Sequence, residues 1–469
     1  MEDNPKKQRV ETTDFGNIFS KTPTRIFRPQ TIDELAKILN SLNEQGVPVT
    51  VKNTGHSVNG QTLTDGTQII LADMIWSNFD KTAMEVTVGA GVSWNNLFKT
   101  IKFPEYCTPV FPDNPGQLIH VTGTIAVGGI GNYSARAGGL WNYVKRITLV
   151  TMEGKIISCS KEENPDLFRY SLGGFGRIGV IAEATLVVEK RMSQVATTTI
   201  VRRNRSSMAQ TLAHAAHDKR FTGIIFGFGR AIVRPFPLII FPAHAILGLA
   251  ETQEISNFQK AVRAKYRHGV LFRHPFIALS GPGTISKHDA VYHTPESFTL
   301  QDEGDGLCHP WSDYGIPLKY LRLFLDRTHE LLRFYHLNDF GIVEKIQAMP
   351  LRVRFEAVGF LLKSNPSASE FSFPLSLDLP SEDVIAGIGC WLAVPYERMK
   401  NAEAFINELT AFCYSMGGKR YLYGWHQLTK AQVEQQFGKK AIGQWNEIKK
   451  RVDPKGLLNR GVIEYLDTM

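Results

Sequence analysis

No stretch of the 469-residue chain stays apolar for long enough to cross a bilayer. Its most apolar segment, Phe236 to Ala250, is shorter than the ~20 residues a span requires and is interrupted by Pro237 and Pro242. It reads as a buried helix, with Arg230 and Arg234 just upstream leaving open a membrane-surface association through residues 230–250. Cysteine is sparse as well. Cys107, Cys159, Cys308, Cys390 and Cys413 are odd in number and form no C-x-x-C pair, which argues against a zinc site or a disulfide framework and for reduced, mostly buried thiols. No metal site is expected. The opening residues, MEDNPKKQRVETTD, lack the apolar core of a secretory signal, so a cytoplasmic location is expected. The first roughly twenty residues are polar enough to fray. Basic residues outnumber acidic ones, 53 to 45, for a net charge of +8 and an isoelectric point near 9.1. They are scattered and carry no basic–aromatic motif, so nucleic acid is not an expected partner, although a basic surface suits anionic ligands or membrane faces.

What the chain does have is apolar content, 43% of residues, enough for a large core in a chain whose length suggests about two or three domains. Thr31 and Glu34 are spaced as a capping box ahead of Leu35, Ile38, Leu39 and Leu42, and Gly46 closes the pattern, which predicts a short amphipathic helix. Strands are expected at Val49 to Val51, Gln68 to Leu71 and Glu85 to Val88, with a helix over Ser93 to Ile101. Ile147 to Thr151 and Lys155 to Ser158, joined at Glu153-Gly154, read as a hairpin. Helices and strands in alternation make this part α+β or α/β. Near Lys190 the periodicity becomes mixed, and Arg191 to about Tyr423 reads as a second domain. Asn401 to Tyr414 is predicted as an amphipathic helix, and a final helix is stopped by Pro454.

Two glycine-rich stretches organise the first domain. VKNTGHSVNGQ (Val51 to Gln61) follows a β-branched run and carries Asn53, Gly55, Ser57, Asn59 and Gly60, residues that favour turns. Its backbone N–H groups are expected to form an anion site with His56 at the mouth. TGTIAVGGIGN (Thr122 to Asn132) reads as a second tight turn after a strand, where Gly123, Gly128, Gly129 and Gly131 let the main chain approach a flat or phosphorylated ligand. On spacing alone, a lone histidine in a turn reads as a surface or hydrogen-bonding residue. Gly174, Gly176 and Gly179 spell G-x-G-x-x-G, but that fingerprint needs a strand before it and a helix after it. VIAEATLVVEK alternates as a strand, so a nicotinamide-binding Rossmann site is not expected.

GHSVNGQ, VGAGVSW (Val88 to Trp94), GTIAVGGIG (Gly123 to Gly131) and LGGFGRIGVI (Leu172 to Ile181), in that order, resemble the FAD-binding half of the vanillyl-alcohol oxidase or PCMH-type flavoproteins. Within that superfamily the chain is most similar to the cytokinin dehydrogenases. The similarity covers Pro23 to Lys190 and returns at His309 to Trp311 and at Trp445 to Asn459. It implies an α+β, two-domain protein: a PCMH-type FAD-binding domain over residues 1–192, an α+β substrate-binding cap over 193–424, and a segment, 425–469, that returns to the FAD domain. It implies FAD carried covalently through His56, with contacts from Asn53, Thr54, Gly55, Ser57, Gln61, Thr122, Gly123, Thr124, Gly128, Gly129, Asn132, Gly179, Ile181 and Asn459. A histidyl link raises the cofactor's redox potential and prevents its loss from an open site. Relatives with a second link place a cysteine where this chain has Thr122, and Cys107 is far upstream, so a single bond through His56 is expected.

The reaction so implied takes a hydride from a small-molecule substrate, from a C–H next to an amine or hydroxyl, to flavin N5, with oxygen or another acceptor reoxidising the flavin. Cytokinin dehydrogenases place a proton-accepting aspartate before the second glycine stretch, a position that falls on Pro115 here. Asp113, two residues away in FPDNPGQL, is a candidate base and equally a turn-former. Trp311 and Asp313 in HPWSDYGIP correspond to the family's substrate-pocket segment, as an aromatic wall and an acid/base, or else are turn residues. Tyr421, Tyr423 and His426 are further candidates, His426 first as a structural histidine. Three functions stay open: cytokinin-dehydrogenase-like oxidation, oxidation of a sugar, lactone or secondary alcohol, and a noncatalytic flavin-binding or membrane-associated protein.

Overall fold

The computed structural model describes residues 12–103, 105–112, 119–131, 133–191, 194–202, 204–233, 240–250, 265, 283–286, 306–345, 351–364 and 382–463. Local signals fix the first elements. Thr31 is extended and its side chain accepts from the Glu34 amide at 3.1 Å, so the helix Ile32–Glu44 begins where the capping residues put it. Glu34 reaches back to the Gln30 amide, 2.8 Å away, one residue earlier than a standard box. The apolar face of this helix, Leu35, Leu39 and Leu42, is buried.

Among the described residues, Arg25–Phe27, Thr67–Ile70 and Val49–Lys52 form a parallel three-stranded sheet. A five-stranded antiparallel sheet runs, in spatial order, Ser77–Asp80, Glu85–Gly89, Val180–Val187, Val144–Val150 and Ile156–Ser160. The last two are the expected hairpin, turning at Gly154 with φ +73°. The helix Trp94–Thr100, capped by Ser93, also lies where the sequence put it.

Among the described residues beyond 193, the strands form a nine-stranded antiparallel sheet. It includes Gln194–Arg202, Ile240–Ala250, Gly223–Val233, Leu351–Lys363, Val384–Cys390, Ser312–Pro317 and Lys419–Tyr421 as successive neighbours. The helices Arg205–Ala216, Leu321–Phe334 and Met399–Ser415 pack on it. They bury Leu212, Phe324 and Phe405 in a core with Phe226, Ile316 and Ile388, separate from the core of the five-stranded sheet. Mixed helices and sheets make the whole chain α+β.

Two expectations are corrected. The buried helix expected over Phe236 to Ala250 is instead the strand Ile240–Ala250, hydrogen-bonded to neighbours on both edges; residues 236–239 lie outside the described residues. A continuous apolar run has no 3.6-residue period to favour a helix, and Pro242 lacks the amide that a helix interior uses. Nor is the beginning frayed from residue 12 onward. Asp14 is buried and accepts from the Ile18, Phe19 and Gly60 amides at 2.9, 3.1 and 3.3 Å, so one carboxylate orders the whole segment.

The tail returns to the first sheets. Helices Lys430–Phe437 and Lys439–Val452 place Val433, Phe437 and Trp445 in the core of the five-stranded sheet, and Val49 donates to Leu457 O at 2.9 Å. Lys449, buried, pairs with Asp453 at 2.7 Å and donates to Arg177 O and Leu458 O at 2.6 and 3.1 Å. All five cysteines are buried, and none is joined in a disulfide. Among the described residues no helix is long and apolar enough to cross a membrane.

Candidate functional site

The strand Val49–Lys52 delivers the chain into the loop of residues 53–61, and side chains rather than a ladder hold that loop. Asn53 Nδ2 donates to Thr122 Oγ1 at 3.2 Å and to Ala90 O at 3.3 Å. Gln61 donates to Leu422 O and Tyr423 O, both at 3.1 Å, and accepts from the Asn59 amide at 2.9 Å. Ser57 Oγ lies 3.4 Å from Thr62 Oγ1. Gly55 has φ +78°, a backbone conformation that favours glycine, and a Cβ there would lie 2.5 Å from Lys52 Cε.

His56 is half-buried, with Thr54 Oγ1 3.3 Å from Nδ1 and the Phe15 ring at a centroid distance of 4.7 Å. Loss of solvation, then the charges at His120 and Lys52, push its pKa below the ordinary histidine value. The imidazole is therefore neutral at pH 7 and keeps a nucleophilic lone pair.

The second glycine stretch is not the tight turn expected from its composition. Val121–Val127 is a helix, closed by Gly128 at φ +76°. Val121 and Ile125, four residues apart, are both buried, and that pairing outweighs the helix-breaking tendency of Gly123. Gly123 faces Asn53, whose Nδ2 would lie 3.3 Å from a Cβ, and a Cβ on Gly129 would lie 2.2 Å from Thr124 Cγ2. Thr122 donates to Ala90 O at 3.1 Å; Thr124 donates to His120 O at 2.9 Å and accepts from Trp94 Nε1 at 2.8 Å. Asn132, Asp113 and Pro115 lie outside the described residues.

The G-x-G-x-x-G segment follows the helix Pro165–Ser171 and precedes the strand Val180–Val187, the reverse of a dinucleotide-binding context, as expected. Gly179 packs on Leu149, and Ile181 is buried beside it. Asn459, at φ +48°, accepts from the Val51 amide at 2.7 Å and donates to Gly176 O at 2.8 Å. Its carboxamide thus ties the strand leading to His56 to the glycine turn.

Asp313 is not a turn residue: it lies in the strand Ser312–Pro317, paired with Gly389 and Tyr421, while Trp311 lies just before that strand with its amide donating to His309 O at 2.8 Å. Buried Trp311 meets Phe15 edge-on at 5.6 Å and Trp391 at 5.5 Å. Trp391 Nε1 donates to Asp313 Oδ1 at 3.0 Å. Burial pushes the Asp313 carboxyl up to about 6, against the pull of Trp391, Tyr423 and the Arg420 charge. Its Oδ2 has no hydrogen-bond partner among the described residues. Arg420, fully buried, donates to Asp313 O at 3.1 Å and Trp425 O at 2.8 Å and so fixes the backbone around the carboxylate. The Tyr421 and Tyr423 rings meet at 4.8 Å with their planes tilted by 54°. His426 is buried; desolvation and then the Arg420 charge push its pKa down to about 3, and Nε2 has no partner among the described residues.

The fold thus joins His56 to Asp313 through Phe15, Trp311 and Trp391. Phe15, Trp391 and Arg420 were not singled out in the sequence, because none sits in a motif and each acts only through contacts made across the fold. His120 Nδ1, His426 Nε2 and Asp313 Oδ2 are buried polar atoms without partners among the described residues. Such atoms, beside close-approaching glycine backbone, suit a flat cofactor with hydrogen-bonding edges.

Comparison with known proteins agrees. Residues 23–160 match the FAD binding domain family. The chain is similar to cytokinin dehydrogenase 2 of Arabidopsis thaliana, 25% identical over 96% of this chain and 90% of that protein. It is similar to an uncharacterized oxidoreductase of the fasciation locus of Rhodococcoides fascians, 30% identical over 37% of this chain and 39% of the relative. Cytokinin dehydrogenase 9 of Oryza sativa subsp. japonica is 29% identical over 38% of this chain and 35% of its own length.

Proposed function

Starting from a FAD-linked oxidoreductase of the PCMH-type superfamily, we propose that this chain oxidises a small molecule at a C–H next to an amine or hydroxyl, as a cytokinin-dehydrogenase-like enzyme. The observation that carries the reading is Asp313: a buried carboxyl titrating near about 6, with one oxygen unpartnered among the described residues, linked by an aromatic wall to His56. FAD, when bound, supplies the two-electron acceptor.

The loop of residues 53–61, the helix Val121–Val127 and the turn at Gly176 would hold the cofactor, with His56 as its single covalent anchor. Neutral His56 has the lone pair that such a bond requires. Asp313 is ionised at pH 7 yet basic enough to accept an N–H or O–H proton from the substrate. Trp311 and Trp391 exclude water from that carboxylate and offer flat walls to an aromatic substrate. The nine-stranded sheet, within residues 193–424, is on this reading the substrate-binding cap.

A second reading, oxidation of a sugar, lactone or secondary alcohol, is favoured by Tyr421 and Tyr423 beside Asp313, since polyols need several hydroxyl-bonding groups. The test is the absorption spectrum of purified protein before and after acid precipitation, followed by anaerobic mixing with cytokinins, sugars and alcohols. Flavin absorbance in the pellet supports the anchor, and the compound that bleaches it names the substrate class. A yellow protein that no donor bleaches would favour a noncatalytic flavin-binding role, and a colourless one would overturn the reading.

A further inference from the structure

Residues 14–17 bridge the His56 loop and the segment that carries Trp311. On one side the Phe15 amide donates to Ser57 O at 3.2 Å, and Asp14 Oδ2 accepts from the Gly60 amide at 3.3 Å. On the other, Asn17 Nδ2 donates to Leu307 O at 3.0 Å, and the His309 amide donates to Gly16 O at 2.7 Å. A Cβ on Gly16 would lie 3.1 Å from both His309 O and Val58 Cβ, so the segment is pressed between the two sides. Held this way, the Phe15 ring is tilted 32° against His56 and stands 75° to Trp311.

We infer that Phe15 is a positioning residue: the strap of residues 14–17 fixes the plane of the His56 imidazole against the Trp311 wall. The inference rests on the reading that His56 anchors the flavin. A side chain in a glycine-rich loop would otherwise sample several ring orientations, and a bond to a ring nitrogen requires one of them. The C–N bond would replace one C–H of a flavin methyl group and the imidazole N–H, the two electrons and two protons passing to dissolved oxygen as hydrogen peroxide. An adjacent aromatic ring restricts that sampling through its preferred packing geometry, which an aliphatic side chain of similar volume does not supply.

The test uses full-length protein made in riboflavin-starved cells, mixed with FAD, with the flavin retained in the acid precipitate followed over time. Phe15→Ala and Phe15→Leu should attach flavin roughly two- to tenfold more slowly than wild type, the range that one aromatic pair's geometry accounts for. Phe15→Tyr, which keeps the ring, should restore the rate. Phe15→Leu, which keeps the volume, guards against simple unfolding, and its thermal midpoint is recorded alongside. A Phe15→Leu protein that attaches flavin at the wild-type rate overturns the inference.

If the wild-type precipitate is itself colourless, the covalent reading of His56 has failed. The strap is then judged by NMR titration of the His56 ring in flavin-free protein. A midpoint that rises in Phe15→Leu and returns in Phe15→Tyr supports it; an unmoved midpoint overturns it.

Discussion

Around His56 the polar side chains are committed to the fold. Asn53, Gln61, Thr122, Thr124 and Asn459 each bond a backbone group or another side chain, and the loop gains its shape from those bonds. Around Asp313 the balance differs: Oδ2 is buried without a partner among the described residues, and burial has pushed the carboxyl from 3.8 up to about 6. Buried nitrogens without partners among the described residues occur beside the His56 loop too, at Nδ1 of His120 and at Nε2 of His426, whose backbone bonds Asn59. Unsatisfied buried atoms are costly wherever they lie, so it is the raised carboxyl that distinguishes the Asp313 side as a functional signal.

The strongest test of that contrast is Asp313→Asn. Loss of a general base should lower kcat by about 10²–10⁴-fold with little change in KM, measured with whichever substrate bleaches the flavin. The same change should stabilise the protein. The folded carboxyl titrates near about 6, above the ordinary 3.8, so its contribution to stability is fully present below pH 3.8 and is lost as pH rises through about 6. Above that pH the buried charge costs up to about 3 kcal/mol, and the neutral carboxamide removes that cost. A variant that loses activity and also melts earlier at pH 7.5 would break the contrast, because Asp313 would then be a structural residue.

His56→Ala addresses the other side. All acid-stable colour should vanish while the thermal midpoint stays close to that of wild-type protein stripped of flavin, because the His56 ring is only half-buried. Yellow precipitate from this variant would move the anchor elsewhere. Asn459→Ala sharpens the contrast from the structural direction. It leaves the Val51 amide unpaired, at about 1–3 kcal/mol, and puts alanine at a positive φ for about 1–2 kcal/mol more. The melting temperature should fall by roughly 2–5 °C while the pH dependence of turnover stays put. A shifted pH profile would mean that Asn459 reaches the chemistry.

The two sides also differed in what the sequence disclosed. The strand leading to His56, the capped helix Ile32–Glu44 and the hairpin at Gly154 were legible because local spacing and turn chemistry determine them. Trp311 and Asp313 were legible as residues, but the strand that carries Asp313 was not, since SDYGIP has no alternation and its partners, Val384–Cys390 and Lys419–Tyr421, lie far along the chain. Gly389 shows the limit most clearly. A Cβ there would lie 2.4 Å from Trp391 Nε1 and 2.8 Å from Asp313 Oδ1, so a single missing carbon makes room for the hydrogen bond, and nothing in GIGC announces it. The helix Val121–Val127 was hidden for the opposite reason, because Gly123 and Gly128 look like a turn until Val121 and Ile125 find a core.

Trp391→Phe makes the smallest change and asks how the carboxyl is tuned. The indole N–H stabilises the ionised form of Asp313, so its loss raises the carboxyl's pKa further above about 6. A base must be ionised to act, so kcat/KM rises with pH through that value, and in Trp391→Phe the rise should move to higher pH. One hydrogen bond to a charged group corresponds to about one pH unit. Activity should therefore fall a few-fold at pH 6.5 and recover by pH 8.5, whereas a mere packing defect would lower it equally at both. A profile that instead falls with pH through that value, with the fall moved to higher pH in Trp391→Phe, would mean that Asp313 acts protonated, as an acid that donates to the substrate, and the direction of proton transfer proposed for this site would have to be reversed.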